Sequence, residues 1–164
     1  MAPRQTVLPL AYRAFFLIIE PLSALLGAFY AHFRQEEYMA MTTHTVSSSS
    51  PPVPLGTSIV LSQLANLYLL FAVNEALVLR STGDRRVWRT VLFGLLLADF
   101  GHLYSVSGLG WWVYWDATRW NAMDLGSVLF VYLGASMRIA FLAGVGLGAP
   151  DTTTATTSKA KKAA

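Results

Sequence analysis

Four strongly apolar segments run through this chain of 164 residues, and each carries an ionisable side chain within it or at its edge. These are Glu20 in the first, Glu75 in the second, Asp99 with His102 in the third, and Asp124 with Arg138 in the fourth. A helix needs roughly 20 apolar residues to cross the hydrocarbon core of a bilayer, and a charge at its centre costs roughly 2.5 to 3.5 kcal/mol when it faces lipid. Glu20, Glu75, Asp99 and Arg138 facing outward would together cost about 10 kcal/mol, comparable with the roughly 5 to 15 kcal/mol of net stability of an ordinary domain. The side chains therefore have to turn inward, pair or protonate. A cluster of that kind inside a membrane is a functional-site hypothesis by default.

The expected fold is all-α, a membrane-embedded antiparallel four-helix bundle. Spans are predicted at about 14–33, 57–79, 87–106 and 123–147, in one membrane domain over 1–148. With 54% hydrophobic and only 13% charged residues there is no room for a second domain. The first run follows Arg4 and Arg13 as a signal peptide would. Glu20 and Pro21 interrupt it and no small-x-small cleavage site follows, so it reads as a retained span. Cysteine is absent, which removes disulfides, thiolate nucleophiles and sulfur-ligated metal.

Three connections join the spans. Segment 34–56, with Glu36 and Glu37, then serines 47–50 and Pro51, Pro52 and Pro54, reads as a loop. The second, from Arg80 to Arg86 with Arg89 just beyond, is a short basic hairpin. The third, 107–122, is aromatic, with Trp111, Trp112, Trp115 and Trp120. Arg4, Arg13, Arg80, Arg85, Arg86, Arg89, Lys159, Lys161 and Lys162 fall on one side of the spans, against Arg34 and Arg119 on the other. The positive-inside rule then places both termini in the cytosol. The basic balance thus reports membrane orientation rather than a nucleic-acid partner. The tail 149–164 has no apolar period and is expected to be disordered. Its final Lys161-Lys162-Ala163-Ala164 resembles the dilysine signal that returns membrane proteins to the endoplasmic reticulum.

Each polar residue has two readings. Glu20 stands before Pro21, which has no N–H for the carbonyl of Leu17, so a kink is expected there. Glu20 is either an acid or a packing partner of Arg138. On the second span Asn66, Leu70 and Asn74 share a stripe beside Glu75; Asn66 reads as helix-to-helix glue, and Glu75 as a cavity residue or one snorkelling toward Arg80. Asp99 and His102, at i and i+3, share a face and form either an acid–base relay or a structural hydrogen bond. Asp124, Ser127, Val131, Gly134, Ala135 and Arg138 follow a face rich in small residues, with Arg138 as the counter-ion for the carboxyls. Three acids against one arginine leave a carboxyl without a full partner, and desolvation favours its protonated form. Such an acid in an apolar cavity can protonate an alkene or epoxide. The tryptophans are an aromatic belt, except that Trp120, near Asn121 and Asp124, is placed to cap a cavity. No phosphate loop, nucleophile elbow or dinucleotide fingerprint is present, and neither a cofactor nor a metal is expected.

The stretches FLIIEPLSALLG (16–27), NEALVLR (74–80), ADFGHLY (98–104) and WNAMD (120–124) resemble a family of small fungal membrane proteins of unknown function. The resemblance covers nearly all the chain outside the 34–56 loop and the tail, and implies a four-helix membrane architecture without an established activity. More distantly, the plan is similar to the emopamil-binding sterol isomerase group and to integral membrane terpene cyclases, an analogy of architecture alone. Two functions from different classes are expected from the residues. The first is an endoplasmic-reticulum protein that binds or converts an apolar isoprenoid, sterol or polyketide intermediate. It would use Glu20, Asp99 and His102 for chemistry and Asn74, Glu75, Trp120, Asn121, Asp124 and Arg138 for binding. The second is a non-catalytic scaffold, a monomer or homo-oligomer in lipid, whose buried polar groups lock the bundle.

Overall fold

The computed structural model describes residues 8–45 and 52–148. Arg4, the serines 47–50, Pro51 and the tail with its dilysine motif lie outside the described residues. In chain order the longer helices are α1 (Leu10–Phe33), α2 (Gln35–Thr43), α3 (Leu55–Leu79), α4 (Arg85–Ser105) and α5 (Ala122–Leu142). All but α2 belong to segments long and apolar enough to cross a membrane, α4 being extended by a 3₁₀ turn to Leu109. The fold is the expected all-α bundle, and the protein is a multi-pass membrane protein.

Apolar side chains such as Leu22, Leu69, Leu97 and Leu133 are exposed on the outside of the helices, the surface lipid would cover. Inside, α1 packs along α3 and α4 along α5. The two pairs are joined at the hairpin end by a core of Tyr12, Phe16, Leu79, Trp88, Leu92 and Phe141. Its rings interlock: Tyr12 meets Phe141 edge-on at 5.2 Å and Trp88 stacks on Phe141 at 5.7 Å. Tyr12 also donates to the carbonyl of Val145 at 2.9 Å, tying the start of the first span to the chain just after the last.

The basic hairpin does structural work at that end. Asp84 caps α4 by accepting the N–H of Arg86 at 2.7 Å. Arg89 donates to the carbonyl of Leu142 at 2.8 Å and Arg85 to that of Gly148 at 3.0 Å. Helix carbonyls at a C-terminus have no intrahelical donor, and cations there also complement the helix dipole. α5 stops at Leu142, short of the expected 147, because Gly144 and Gly146 take positive φ values of 84° and 70° and turn the chain.

Segment 34–56 is not all loop. Residues Gln35–Thr43 form α2, with Glu36 and Glu37 in its first turn, where the dipole favours carboxylates, and Arg34 paired with Glu37. Tyr38 of α2 packs with Ala31 of α1 and Leu61 and Ala65 of α3. This helix was hidden in the sequence because its apolar face is brief, and it makes a roof over the end of the bundle opposite the basic hairpin.

Three π-helical turns interrupt the spans, at Phe15–Ile19, Asn74–Leu79 and Leu125–Leu129. Such turns occur mostly as single insertions and are frequent at functional sites. Here the first abuts Glu20, the second contains Glu75 and the third contains Ser127.

Candidate functional site

Each spanning helix contributes one member to a buried ionic cluster. Arg138 of α5 reaches across the bundle, its Nη1 donating to Oδ2 of Asp99 on α4 at 2.7 Å. Its Nη2 donates to Oε1 of Glu75 on α3 at 3.2 Å and to Oε1 of Glu20 on α1. Glu75 and Arg138 are almost fully enclosed, at 1% and 2% exposure. The guanidinium fork suits this because it presents several coplanar donors and stays charged when buried. Gly134, one turn before Arg138, makes room: a Cβ there would lie 2.7 Å from Nη1. Beneath the cluster the guanidinium carbon sits 5.7 Å from the centre of the fully buried Phe16 ring, the member of the hairpin-end core that borders the charges.

The cluster is under-satisfied. Arg138 Nε is buried with no hydrogen-bond partner among the described residues, and beyond their bonds to Arg138 the Glu20 and Glu75 carboxyls meet each other, a bond that needs a proton on one of them. Buried polar atoms nearly always have full sets of partners, so a lone guanidinium N–H beside two carboxyls forced together calls for an explanation. They lie at the floor of a cavity of about 350 Å³, lined by Glu20, Glu75, Asp99, His102 and Arg138 together with apolar walls from Ala24, Gly27, Phe71, Leu95, Phe130 and Val131. Tyr30, Tyr38, Met41 and Tyr68 line its other end under α2. The cavity is only partly enclosed, and Leu26 in its lining is 60% exposed on the outside of the bundle. Its volume falls at the small end of the roughly 300 to 1,000 Å³ typical of ligand pockets.

The expected residues separate into two groups. Glu20, Glu75, Asp99, His102 and Arg138 converge on the cavity. His102 does not bond Asp99: its Nε2 lies 2.9 Å from the carbonyl of Ser127, while Asp99 turns to Arg138. Because a carbonyl only accepts, Nε2 carries the proton and Nδ1 is the acceptor nitrogen. Glu75 does not snorkel toward Arg80. Burial by four helices holds it inward, and Arg80 instead donates to the carbonyl of Leu17 at 3.0 Å.

Asn121 and Asp124 belong elsewhere. Asn121 caps α5, accepting the N–H groups of Met123 at 2.8 Å and Asp124 at 3.1 Å, while Asp124 accepts the Asn121 N–H at 2.9 Å. Asn121 Nδ2 donates to the carbonyl of Met41 at 2.7 Å, and Asp124 pairs with His44 at 3.1 Å. This second polar cluster fastens α2 to α5. Trp120 does not line the cavity; its Nε1 donates to the carbonyl of Val113 at 3.0 Å inside the aromatic connection. Asn74 is likewise outside the lining, and Asn66 is exposed on α3 rather than bonding a neighbouring span.

Sequence reasoning missed the tyrosines. Tyr68 precedes Glu75 by two helical turns on one face, a spacing legible in the sequence. Tyr38 carried no such signal, since α2 was read as loop.

The family model described as a domain of unknown function (DUF7704) matches residues 5–148. No curated protein and no solved structure matches the chain.

Proposed function

The chain belongs to the DUF7704 family, whose description assigns no activity, and from the site alone we propose that this membrane protein binds an apolar isoprenoid, sterol or polyketide intermediate and converts it by acid–base chemistry. The supporting observation is the packing of the Glu20 and Glu75 carboxyls against each other and against Arg138, in residues that line an apolar-walled cavity. One guanidinium balances one carboxylate. With protons on the other two carboxyls the cluster is neutral, the least costly state inside a bilayer.

In the proposed reaction Glu20 or Asp99 gives its proton to one carbon of an alkene, forming a cation in the cavity. A neighbouring carbon then loses a proton to a cluster carboxylate or to Nδ1 of His102, which relays it back. The double bond has moved, no proton is gained or lost, and no co-reactant is needed. Arg138 holds the charge of the carboxylate that remains. A partly open cavity with an exposed apolar residue, Leu26, in its wall suits entry of a molecule dissolved in the bilayer. The orientation, with both ends of the membrane domain on the cytosolic side, rests on the arginine count.

Deletion in the source organism, complemented with wild type or Glu20→Gln and followed by profiling of lipids and secondary metabolites, tests the reading. An intermediate that accumulates in the deletion and persists with stably inserted Glu20→Gln is expected. Full complementation by Glu20→Gln would remove the acid role from Glu20 and leave it to Asp99 alone.

A scaffold reading is favoured by a separate observation: all three carboxyls engage Arg138, as a lock between helices would. Under it, Asp99→Asn lowers protein level and unfolds the bundle, whereas under the enzyme reading a folded, inactive protein can be recovered.

A further inference from the structure

We propose that the cavity selects molecules bearing a neutral oxygen function, a hydroxyl or a ketone, at the end remote from the carboxyl cluster, and that Tyr38 and Tyr68 bind that oxygen. This rests on the reading of the cavity as a ligand site and adds the chemical class of what it takes.

The phenolic oxygens of Tyr38 and Tyr68 lie 3.2 Å apart, and both residues line the cavity. Two phenols bring two O–H donors, and the bond between them uses one. The second O–H has no acceptor among the described residues; Tyr38 is buried and Tyr68 half-buried. A phenol that lines an apolar-walled cavity with a free O–H has a donor to offer, and an oxygen on a bound molecule would accept from it. Position favours the same answer. Gly27 on α1 faces the Tyr68 ring, which lies at van der Waals distance from it. Tyr68 precedes Glu75 by seven residues on one face of α3, about 10 Å along the helix. The cavity thus has a charged floor, an apolar middle and a phenol end. A pure hydrocarbon would leave the phenol unsatisfied.

The lining also excludes a class. Arg138 is the one arginine among the residues that line the cavity, no lysine lines it, and three carboxyls already occupy that guanidinium. A phosphate or diphosphate would meet carboxyls at one end and neutral phenols at the other. Anionic esters are therefore not taken.

The test uses the purified full chain in lipid nanodiscs with a photoreactive isoprenoid alcohol of farnesyl length, its matching hydrocarbon and its diphosphate. The alcohol is expected to label cavity peptides about tenfold more efficiently than the hydrocarbon, and the diphosphate not to label them. Tyr38→Phe with Tyr68→Phe keeps both rings and is expected to bring alcohol and hydrocarbon to parity with an unchanged melting temperature. Equal labelling by alcohol and hydrocarbon in the wild type overturns the inference while leaving the cavity reading intact, and that comparison needs no variant. A preference that survives the double substitution also overturns it. Failure of every probe to label the cavity overturns the cavity reading and the inference together.

Discussion

The guanidinium of Arg80 donates at 3.0 Å to the carbonyl of Leu17, the carbonyl four residues before Pro21 that the proline ring leaves without an N–H. A side chain from the end of α3 thus takes the place of a backbone donor in α1, and α1 runs on from Leu10 to Phe33 through a π turn. Arg80→Ala is expected to destabilise the bundle by about 1 kcal/mol, since the bond is exposed. Pro21→Ala restores the donor, so Arg80→Ala should cost less in that background. A double-mutant cycle from denaturation in detergent measures the coupling, and additive effects would contradict it.

Arg138 is the one cation, among the described residues, that pairs with Glu20, Glu75 and Asp99, of which Glu75 is fully enclosed and the other two half-buried. Arg138→Met should cost about 3 to 5 kcal/mol, because breaking a buried pair leaves uncompensated charge. Adding Glu20→Gln, Glu75→Gln and Asp99→Asn should recover most of that loss, since neutral groups need no counter-ion. Melting temperatures of the single and the fourfold variants decide the matter.

Gly134→Ala places a methyl where Nη1 of Arg138 now lies 2.7 Å away. Alanine is the better helix former by about 1 kcal/mol, so propensity alone forecasts stabilisation. The expected result is the opposite, a lower melting temperature. Glycine is retained for the space it leaves, and a stabilised Gly134→Ala protein would refute that.

Asn121→Ala removes the cap of α5 and its bond to the carbonyl of Met41. A loss of about 1 to 2 kcal/mol is expected. Hydrogen exchange should quicken in α2 and the first turn of α5 while the carboxyl end of the cavity stays protected. Uniform loosening would contradict the separation of the two polar clusters.

Burial holds the phenol of Tyr38 well above its ordinary value, with Tyr68 beside it adding to the shift. For a group raised in the folded state, the unfolded chain loses its proton first. Stability is therefore intact below about pH 10 and falls as pH rises past it. Tyr38→Phe should lose this part of the alkaline destabilisation, read as a flatter melting temperature against pH above about 10.

Much of the bundle was readable from local pattern. A run of apolar residues has to cross a membrane as a helix because lipid offers its backbone no partners, so the number of spans follows from counting. The convergence of Glu20, Glu75, Asp99 and Arg138 was also legible, because charge in lipid has nowhere else to go. Partner choice was not: the i, i+3 spacing of Asp99 and His102 suggested a bond, yet Arg138 outbids the imidazole for the carboxylate, and the π turn at 125–129 presents the Ser127 carbonyl to His102. Asp124 shares a helical face with Arg138 but sits about four turns away, where the capping of α5 claims it.

The sequence by itself determined four apolar spans and the inward turn of their charges, since both follow from the transfer cost of single groups into lipid. Only the tertiary structure decided which carboxyl oxygens meet Arg138, that α2 roofs the cavity and that Tyr38 meets Tyr68. Those depend on the relative shift and rotation of helices far apart in the chain, which no local cost specifies.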